Sequence, residues 1–306
     1  MIRLGKTELQ VSEIGLGTVE LGIPAYGVKT PDEQVKTQSD AISFLHKAID
    51  FGVNFFDTAA AYGCSEEILG KAFADRRHKV IIASKCRQID EKLSDNDIYT
   101  SLMSDTYSSL KQLGTDFVDI MQLHNPTKNL FNNNGFIKFA LDGKKTDLFK
   151  FVGASVYGVD DALAAVSSPV IDVVQVAYNI FDRRMEAEVF PKASELDKGI
   201  VIRSVFLRGA LTPRIRYFTK PGEIFVKQHV NNLVDEFGCL LEDLPKICTA
   251  FVLTKKPGLI LIGTANENEL TEALSAVGYS FTSDQFDILN RYSTSNLQII
   301  EPFRWD

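Results

Sequence analysis

Eight short apolar runs, rich in Val and Ile and separated by amphipathic stretches, constrain this chain more than any other feature. They are IGLGT (14–18), VNFFDT (53–58), KVIIASK (79–85), FVDIMQLH (117–124), FVGASV (151–156), DVVQVAYN (172–179), IVIRSVF (200–206) and LILIGT (259–264). The runs are nearly continuous instead of alternating, the pattern of strands covered on both faces. Parallel strands need long crossovers, and these are right-handed. Eight strand–helix units in succession close into a ring, so the expected fold class is α/β, a (β/α)8 TIM barrel.

The intervening stretches supply the helices. SDAISFLHKAIDFG (39–52) places apolar residues at 41, 44, 45, 48 and 49 and stops at Gly52, a helical period with a glycine stop. SEEILGKAFAD (65–75) opens on Ser65 as a predicted N-cap, and DNDIYTSLMSDTYSSLKQLG (95–114) closes on Gly114. VDDALAAVSS, EAEVFPKASELDKG, KQHVNNLVDEFG and NENELTEALSAVG complete the set. The NNN at 132–134 and GKK at 143–145 read as loop and solvated surface. A GKT turn within the first twelve residues predicts an N-terminal β-hairpin under the barrel, and 282–295 predicts an extra C-terminal helix. No linker or composition shift divides 1–306, so one domain is expected.

Composition narrows the function. Lys+Arg number 33 and Asp+Glu 40, a net charge of −7, which disfavours nucleic acid and anionic membranes as partners. No run approaches the ~20 apolar residues of a membrane span. The first eighteen residues lack an apolar signal core, and Cys64, Cys86, Cys239 and Cys248 form no paired motif, so a cytoplasmic setting with reduced thiols is expected. Cys64 and Cys86 read as packing residues. His46, His78, His124 and His229 show no metal spacing, and no metal is expected.

Barrel sites are built where the strands end. The second run ends in Asp57, the third in Lys85, the fourth in His124 and the fifth in Ser155. The sixth carries Gln175 and Asn179, the seventh Arg203 and Ser204, and the eighth ends in Gly263 and Thr264. Tyr62 follows Asp57 by five residues. A lysine ammonium favours the phenolate form of a neighbouring tyrosine and brings it toward the range useful for proton transfer. Asp57 supplies the counter-charge that keeps such a lysine cationic, and a neutral histidine donates a hydrogen bond to a substrate carbonyl. The set suits protonation of an oxygen as hydride reaches its carbon. Read alone, each residue has a plainer role: Asp57 a loop cap, His124 a buried histidine, Gln175 a bonded core amide, and Lys85 a solvated lysine or the Schiff-base lysine of a barrel lyase.

Over nearly its full length the chain resembles the aldo-keto reductases. The matching stretches are GLGT (15–18), GVNFFDTAAAYGCSEEILGKAF (52–73), IIASK (81–85), SLKQLGTDFVDIMQLHNP (109–126), VGASVYG (152–158), VVQVAYN (173–179), SVFLRGALT (204–212) and IGTANENELTEAL (262–274). The resemblance implies a nicotinamide cofactor, NADP(H) by family habit with NAD(H) as the other choice, a small-molecule carbonyl substrate and no metal. It implies Tyr62 as proton donor, Lys85 and Asp57 as the pair that tunes it, and His124 as the residue that orients substrate. Gly17, Thr18, Asp57, Ser155 and Gln175 would surround the nicotinamide. Ser204, Phe206, Leu207 and Gly209 would lie near the pyrophosphate, and Gly263, Thr264, Ala265, Glu269 and Glu272 along the adenosine.

Three departures stand out. Arg203 occupies a position that often carries an aromatic ring against the nicotinamide, where a planar guanidinium can also stack. Arg203–Ser204–Val205–Phe206–Leu207, with the Tyr26–Gly27 pair, resembles bacterial members tied to surface-polysaccharide sugars. GTANENELTEAL offers no cation for the 2′-phosphate of NADPH, and Glu269 falls near one such position, favouring use of both cofactors. Val156 follows Ser155 where an Asn is commoner. The loops at 19–36, 125–135 and 206–224, with Tyr26 and Asn125, are expected to set the substrate. Alternatives remain a lyase using Lys85 and a slow cofactor-binding sensor subunit.

Overall fold

The computed structural model describes residues 1–28, 30 and 36–305; the rest of the 19–36 loop expectation lies outside the described residues. The strands are β1 (Ile2–Arg3), β2 (Gln10–Val11), β3 (Ile14–Gly17), β4 (Phe55–Asp57), β5 (Ile81–Lys85), β6 (Val118–His124), β7 (Phe149–Ser155), β8 (Val173–Ala177), β9 (Gly199–Arg203) and β10 (Leu259–Gly263). β3 to β10 form a closed, all-parallel barrel, with β10 pairing back onto β3. The eight apolar runs are therefore the eight barrel strands.

Their lack of alternation follows from burial on both faces. Phe55, Ala83, Ile120, Val173, Val201, Leu259 and Leu261 form an inner cluster with Leu4 and Val11 of the hairpin. The outer faces pack into a larger core with the helices. β1 and β2 pair antiparallel around the GKT turn and close the bottom of the barrel. Arg3 grips Asp197 through two 2.8 Å hydrogen bonds. Gly5 adopts φ +53°, and a Cβ there would stand 2.3 Å from the backbone nitrogen of Gly199.

The helices are α1 (Val19–Gly22), α2 (Gln38–Asp50), α3 (Ser65–Phe73), α4 (Asp95–Leu113), α5 (Asn134–Lys145), α6 (Val159–Ser167), α7 (Val189–Glu195), α8 (Pro221–Phe237), α9 (Leu244–Lys255), α10 (Glu267–Leu274), α11 (Ser283–Arg291) and α12 (Leu297–Ile300). Four were not anticipated: the four-residue α1 and α12, and the longer α5 and α9. Where loop was expected, NNN runs from the end of a 3-10 turn at Asn132 into the first residue of α5, with the Asn133 side chain accepting from the Phe136 N–H as its cap, and GKK is the last turn of α5. α9 follows the expected α8 in the chain between β9 and β10. The predicted cap Ser65 is instead the first helical residue. Its hydroxyl joins Thr18 and Thr58 in a buried hydroxyl cluster, and Cys64 takes the N-cap position without a side-chain bond.

Strand register sets the mouth of the barrel. Gly17 lies level with both Asp57 and Gly263, Lys85 with Gln122, His124 with Ser155, Ser155 with Gln175, and Ala177 with Arg203. Among the described residues no helix is long and apolar enough to cross a membrane.

Candidate active site

The floor of the site is a buried ion pair with an amide clasp. Lys85, at the end of β5, donates to Asp57 Oδ2 at 2.5 Å and to the Thr58 carbonyl at 2.9 Å. The other carboxylate oxygen, Oδ1, accepts from Gln122 Nε2 at 3.0 Å and from Gln175 Nε2 at 2.8 Å. Gln175 in turn donates to Gln122 Oε1 and accepts from the Ser155 hydroxyl, each at 3.3 Å. Every oxygen of Asp57 thus has a donor, as a buried charge requires. Burial alone would lower the Lys85 ammonium, but the Asp57 charge, helped by the Tyr62 hydroxyl, carries it the other way, and its pKa is raised. Lys85 is a locked cation.

Tyr62 stands over this pair on the loop after β4, fixed by backbone bonds from its N–H to Ala59 and from Ser65 to its carbonyl. The Lys85 ammonium lies 5.0 Å from the centre of its ring. The His124 ring meets Tyr62 edge-on, 5.9 Å between centroids and 86° between planes. Burial, then the nearby Lys85 charge, pushes the His124 imidazole down to about 4. His124 is therefore neutral at ordinary pH, able to donate or accept but carrying no charge.

These groups open onto a pocket of about 550 Å³, within the range of small-molecule and cofactor sites. Gly17, Thr18, Asp57, Tyr62, His124, Ser155, Gln175, Arg203, Ser204, Phe206, Gly209, Gly263, Glu269 and Glu272 line it, as do Tyr26 and Asn125. Three residues expected along the cofactor do not. Leu207 is buried in the apolar core, Ala265 packs against that core, and Thr264 is buried, its hydroxyl bonded to Glu269. Lys85 lies beneath the pocket and acts on it only through Tyr62 and Asp57.

Two features of the cofactor end were not read from the sequence. Local sequence offered no cation beside Glu269, yet Arg214, from the loop after β9, forms an ion pair with it at 2.9 Å. The signal was too distant in sequence to read. Val156, where an Asn is commoner, turns its carbonyl to Arg203 Nη2 at 3.0 Å, and the Arg203 guanidinium sits 4.2 Å over the Tyr157 ring. Gln122, in the middle of an apolar run, was also missed. Its place two residues before His124 put it on the same inward parity.

The pocket suits a nicotinamide dinucleotide. A Cβ on Gly263, which lines the pocket, would meet nothing within 4 Å. Arg208, Arg214 and Arg216 supply cations along the wall, and Ser155 and Gln175 supply polar groups beside Asp57.

A closed parallel barrel with Tyr, His, Lys and Asp gathered at its C-terminal mouth defines a family of barrel oxidoreductases. The chain belongs to the aldo/keto reductase family, whose sequence model matches residues 13–293. It is 28% identical to the NADH-specific methylglyoxal reductase of Escherichia coli K12, covering 90% of this chain and 88% of that one. It is 29% identical to YqkF, an uncharacterized oxidoreductase of Bacillus subtilis, and to the aldo-keto reductase YhdN of the same species, over 69% of this chain. Those two matches span 66% and 63% of the relatives' own lengths. An aldo-keto reductase from Bacillus halodurans in its holo form shares the fold, with a TM-score of 0.77 at 23% identity, over 99% of this chain and 98% of the other.

Proposed function

We propose that the chain, working as one barrel unit over 1–306, is a nicotinamide-dependent oxidoreductase that reduces an aldehyde or ketone, sugar carbonyls included, to an alcohol. The observation that carries this reading is the meeting of Tyr62 and neutral His124 directly over the Lys85–Asp57 pair at one end of the pocket. Bound cofactor would supply the hydride. Gly17, Ser155, Gln175, Gly263 and the Arg214–Glu269 pair are the residues that would hold it. His124 orients the carbonyl by a hydrogen bond, and the Tyr62 hydroxyl gives its proton to the carbonyl oxygen. Lys85 stabilises the phenolate left behind, and Asp57 with its two amide donors keeps Lys85 charged and in place.

Lys85 is unsuited to imine formation. A Schiff-base lysine must be neutral and reachable, whereas this one is buried and held as a cation by Asp57. On the cofactor, Arg214 offers a charge for a 2′-phosphate, but Glu269 already occupies it. This supports use of both NADPH and NADH with weak discrimination.

The test is nicotinamide-linked turnover on a carbonyl panel, with Tyr62→Phe. General acid assistance is worth about 10²–10⁴ in rate, so the variant should lose that much turnover while binding cofactor within a few-fold of the parent chain. Retained turnover removes Tyr62 from the mechanism. Borohydride trapping of substrate on Lys85 would restore the lyase reading, and cofactor binding with no turnover on any carbonyl would favour a sensor.

A further inference from the structure

Strand ends hold Asp57, Lys85 and His124, whereas Tyr62 lies on the loop between β4 and α3. A reacting group displaced by about 1 Å can lose a hundredfold in rate, so a proton donor on a loop needs a fixed seat. At the near end of this loop the barrel supplies one: the Ala60 N–H donates to the Lys85 carbonyl at 3.0 Å. The far end is seated on a different loop, the one that follows β3.

Two backbones meet there. Gly22, the last residue of α1, packs directly on Tyr62: a Cβ on Gly22 would lie 1.8 Å from the Tyr62 carbonyl oxygen and 2.5 Å from the Ser65 nitrogen. The contact is mutual. Gly63 adopts φ +57°, and a Cβ on it would lie 2.3 Å from the Gly22 carbonyl oxygen. Beneath this joint, Ser65 ties three segments together. Its N–H donates to the Tyr62 carbonyl at 3.0 Å. Its hydroxyl lies 3.1 Å from the Thr18 carbonyl and 2.7 Å from the Thr18 hydroxyl, and accepts from the Thr58 hydroxyl at 2.9 Å. Thr18 in turn donates to the Asp57 carbonyl from both its N–H, at 3.0 Å, and its hydroxyl, at 2.9 Å. Thr18, Thr58 and Ser65 are fully buried, where each hydroxyl needs the partners it has. Gly22, Gly63 and Ser65 are not among the described residues that line the pocket.

We propose that Gly22 and Ser65 are positioning residues for proton transfer: they clamp the Tyr62 loop to the loop after β3 and so hold the phenol over Lys85 and beside His124. This rests on the reading of Tyr62 as the proton donor. A joint between two glycine backbones has no side-chain rotamer to relax, so the ring above it inherits the rigidity of the barrel. Lys85 and Asp57 act on the phenol by charge, whereas Gly22 and Ser65 act on its place. An alanine at Gly22 must force the two backbones apart by more than about 1 Å, because a filled contact is relieved by backbone shifts.

The experiment uses the full chain with cofactor and the best aldehyde of a carbonyl panel. It compares Gly22→Ala and Ser65→Ala with Gly114→Ala, a change at the left-handed end of α4 where a Cβ meets nothing within 4 Å. Gly22→Ala should lower kcat by about ten- to a hundredfold. Ser65→Ala should lower it by about three- to tenfold, the scale of one neutral hydrogen bond. Cofactor dissociation constants, read by fluorescence titration, should stay within a few-fold of the parent's. In both variants the solvent deuterium isotope effect on kcat should rise, because a displaced donor slows proton transfer. A smaller folded fraction lowers turnover without moving that isotope effect, and Gly114→Ala should leave it at the parent's value. The inference is overturned if kcat and the isotope effect stay at parent values, or if turnover falls while the isotope effect does not change. Should Gly22→Ala fail to fold, Ser65→Ala, which removes a single oxygen, decides by the same readings. Retained turnover in Tyr62→Phe would instead sink the proton-donor reading. Amide exchange over residues 60–66 then judges the clamp separately. Faster exchange in both variants than in the parent, with α4 unchanged, supports it, and equal exchange overturns it.

Discussion

Two residues at the site carry measurable consequences of their surroundings. His124 has its pKa pushed down to about 4 by burial and the Lys85 charge. The unfolded chain, with this histidine near its ordinary 6.5, takes up a proton before the folded chain does. Stability contributed by neutral His124 is therefore complete above about pH 6.5 and is lost as pH falls toward 4. Urea unfolding followed between pH 7 and 4.5 should show a declining midpoint, and His124→Gln should lessen that decline; an identical decline in the variant would count against it. Glu269 is the second case. Replacing it with Gln removes the carboxylate charge beside Arg214, so the ratio of dissociation constants should move toward NADPH by roughly tenfold, the worth of one charge-assisted contact. Fluorescence titration with both cofactors checks this, and a parent chain that already prefers NADPH a thousandfold would contradict it. Asp57, Lys85 and His124 were legible because each ends an apolar run in a fold whose strand ends form the site. Tyr62 was legible from its spacing to Asp57. Arg208 and Arg214 were not, because loop geometry and not periodicity brings them to the pocket.

Among elements, the strands were readable and two of the longer helices were not, for opposite reasons. α5 hides behind three asparagines and two glycines that resemble a loop. Asn133 is its cap, and Gly143 is small because a Cβ there would lie 2.1 Å from the Phe149 ring. α9 hides because it is apolar on nearly every side: eight of its twelve residues are buried, from Leu244 to Val252. A helix buried all round shows no amphipathic period. The two kinds of element make contrasting predictions. Asn133→Ala removes the capping bond from the Phe136 N–H and the amide bond to Asp95 at a part-buried helix start and should cost about 1–2 kcal/mol. Gly5→Ala forces a Cβ into the Gly199 backbone at a left-handed position and should cost about 3 kcal/mol or more, as overpacking adds to strain. Paired denaturation curves test the ranking; a Gly5→Ala chain as stable as the parent would mean that the hairpin does not seal the barrel.

At the scale of the whole molecule, the pocket depends on contacts between distant parts of the chain. Gly17, near one end, lies level with Gly263, near the other, and this pairing of β3 with β10 closes the ring. Contacts so far apart in sequence form slowly. During refolding, recovery of cofactor binding should follow the last kinetic phase, while helical signal returns earlier. Simultaneous recovery of both would show that the ring closes with the helices.

The same seam governs how this protein is made. A ribosome releases the chain from its amino end at a pace of about 5–20 residues per second, so β3 waits many seconds with one edge unpaired before β10 exists. Its brevity, four residues with glycine at two of them, makes a poor template for wrong partners during that interval.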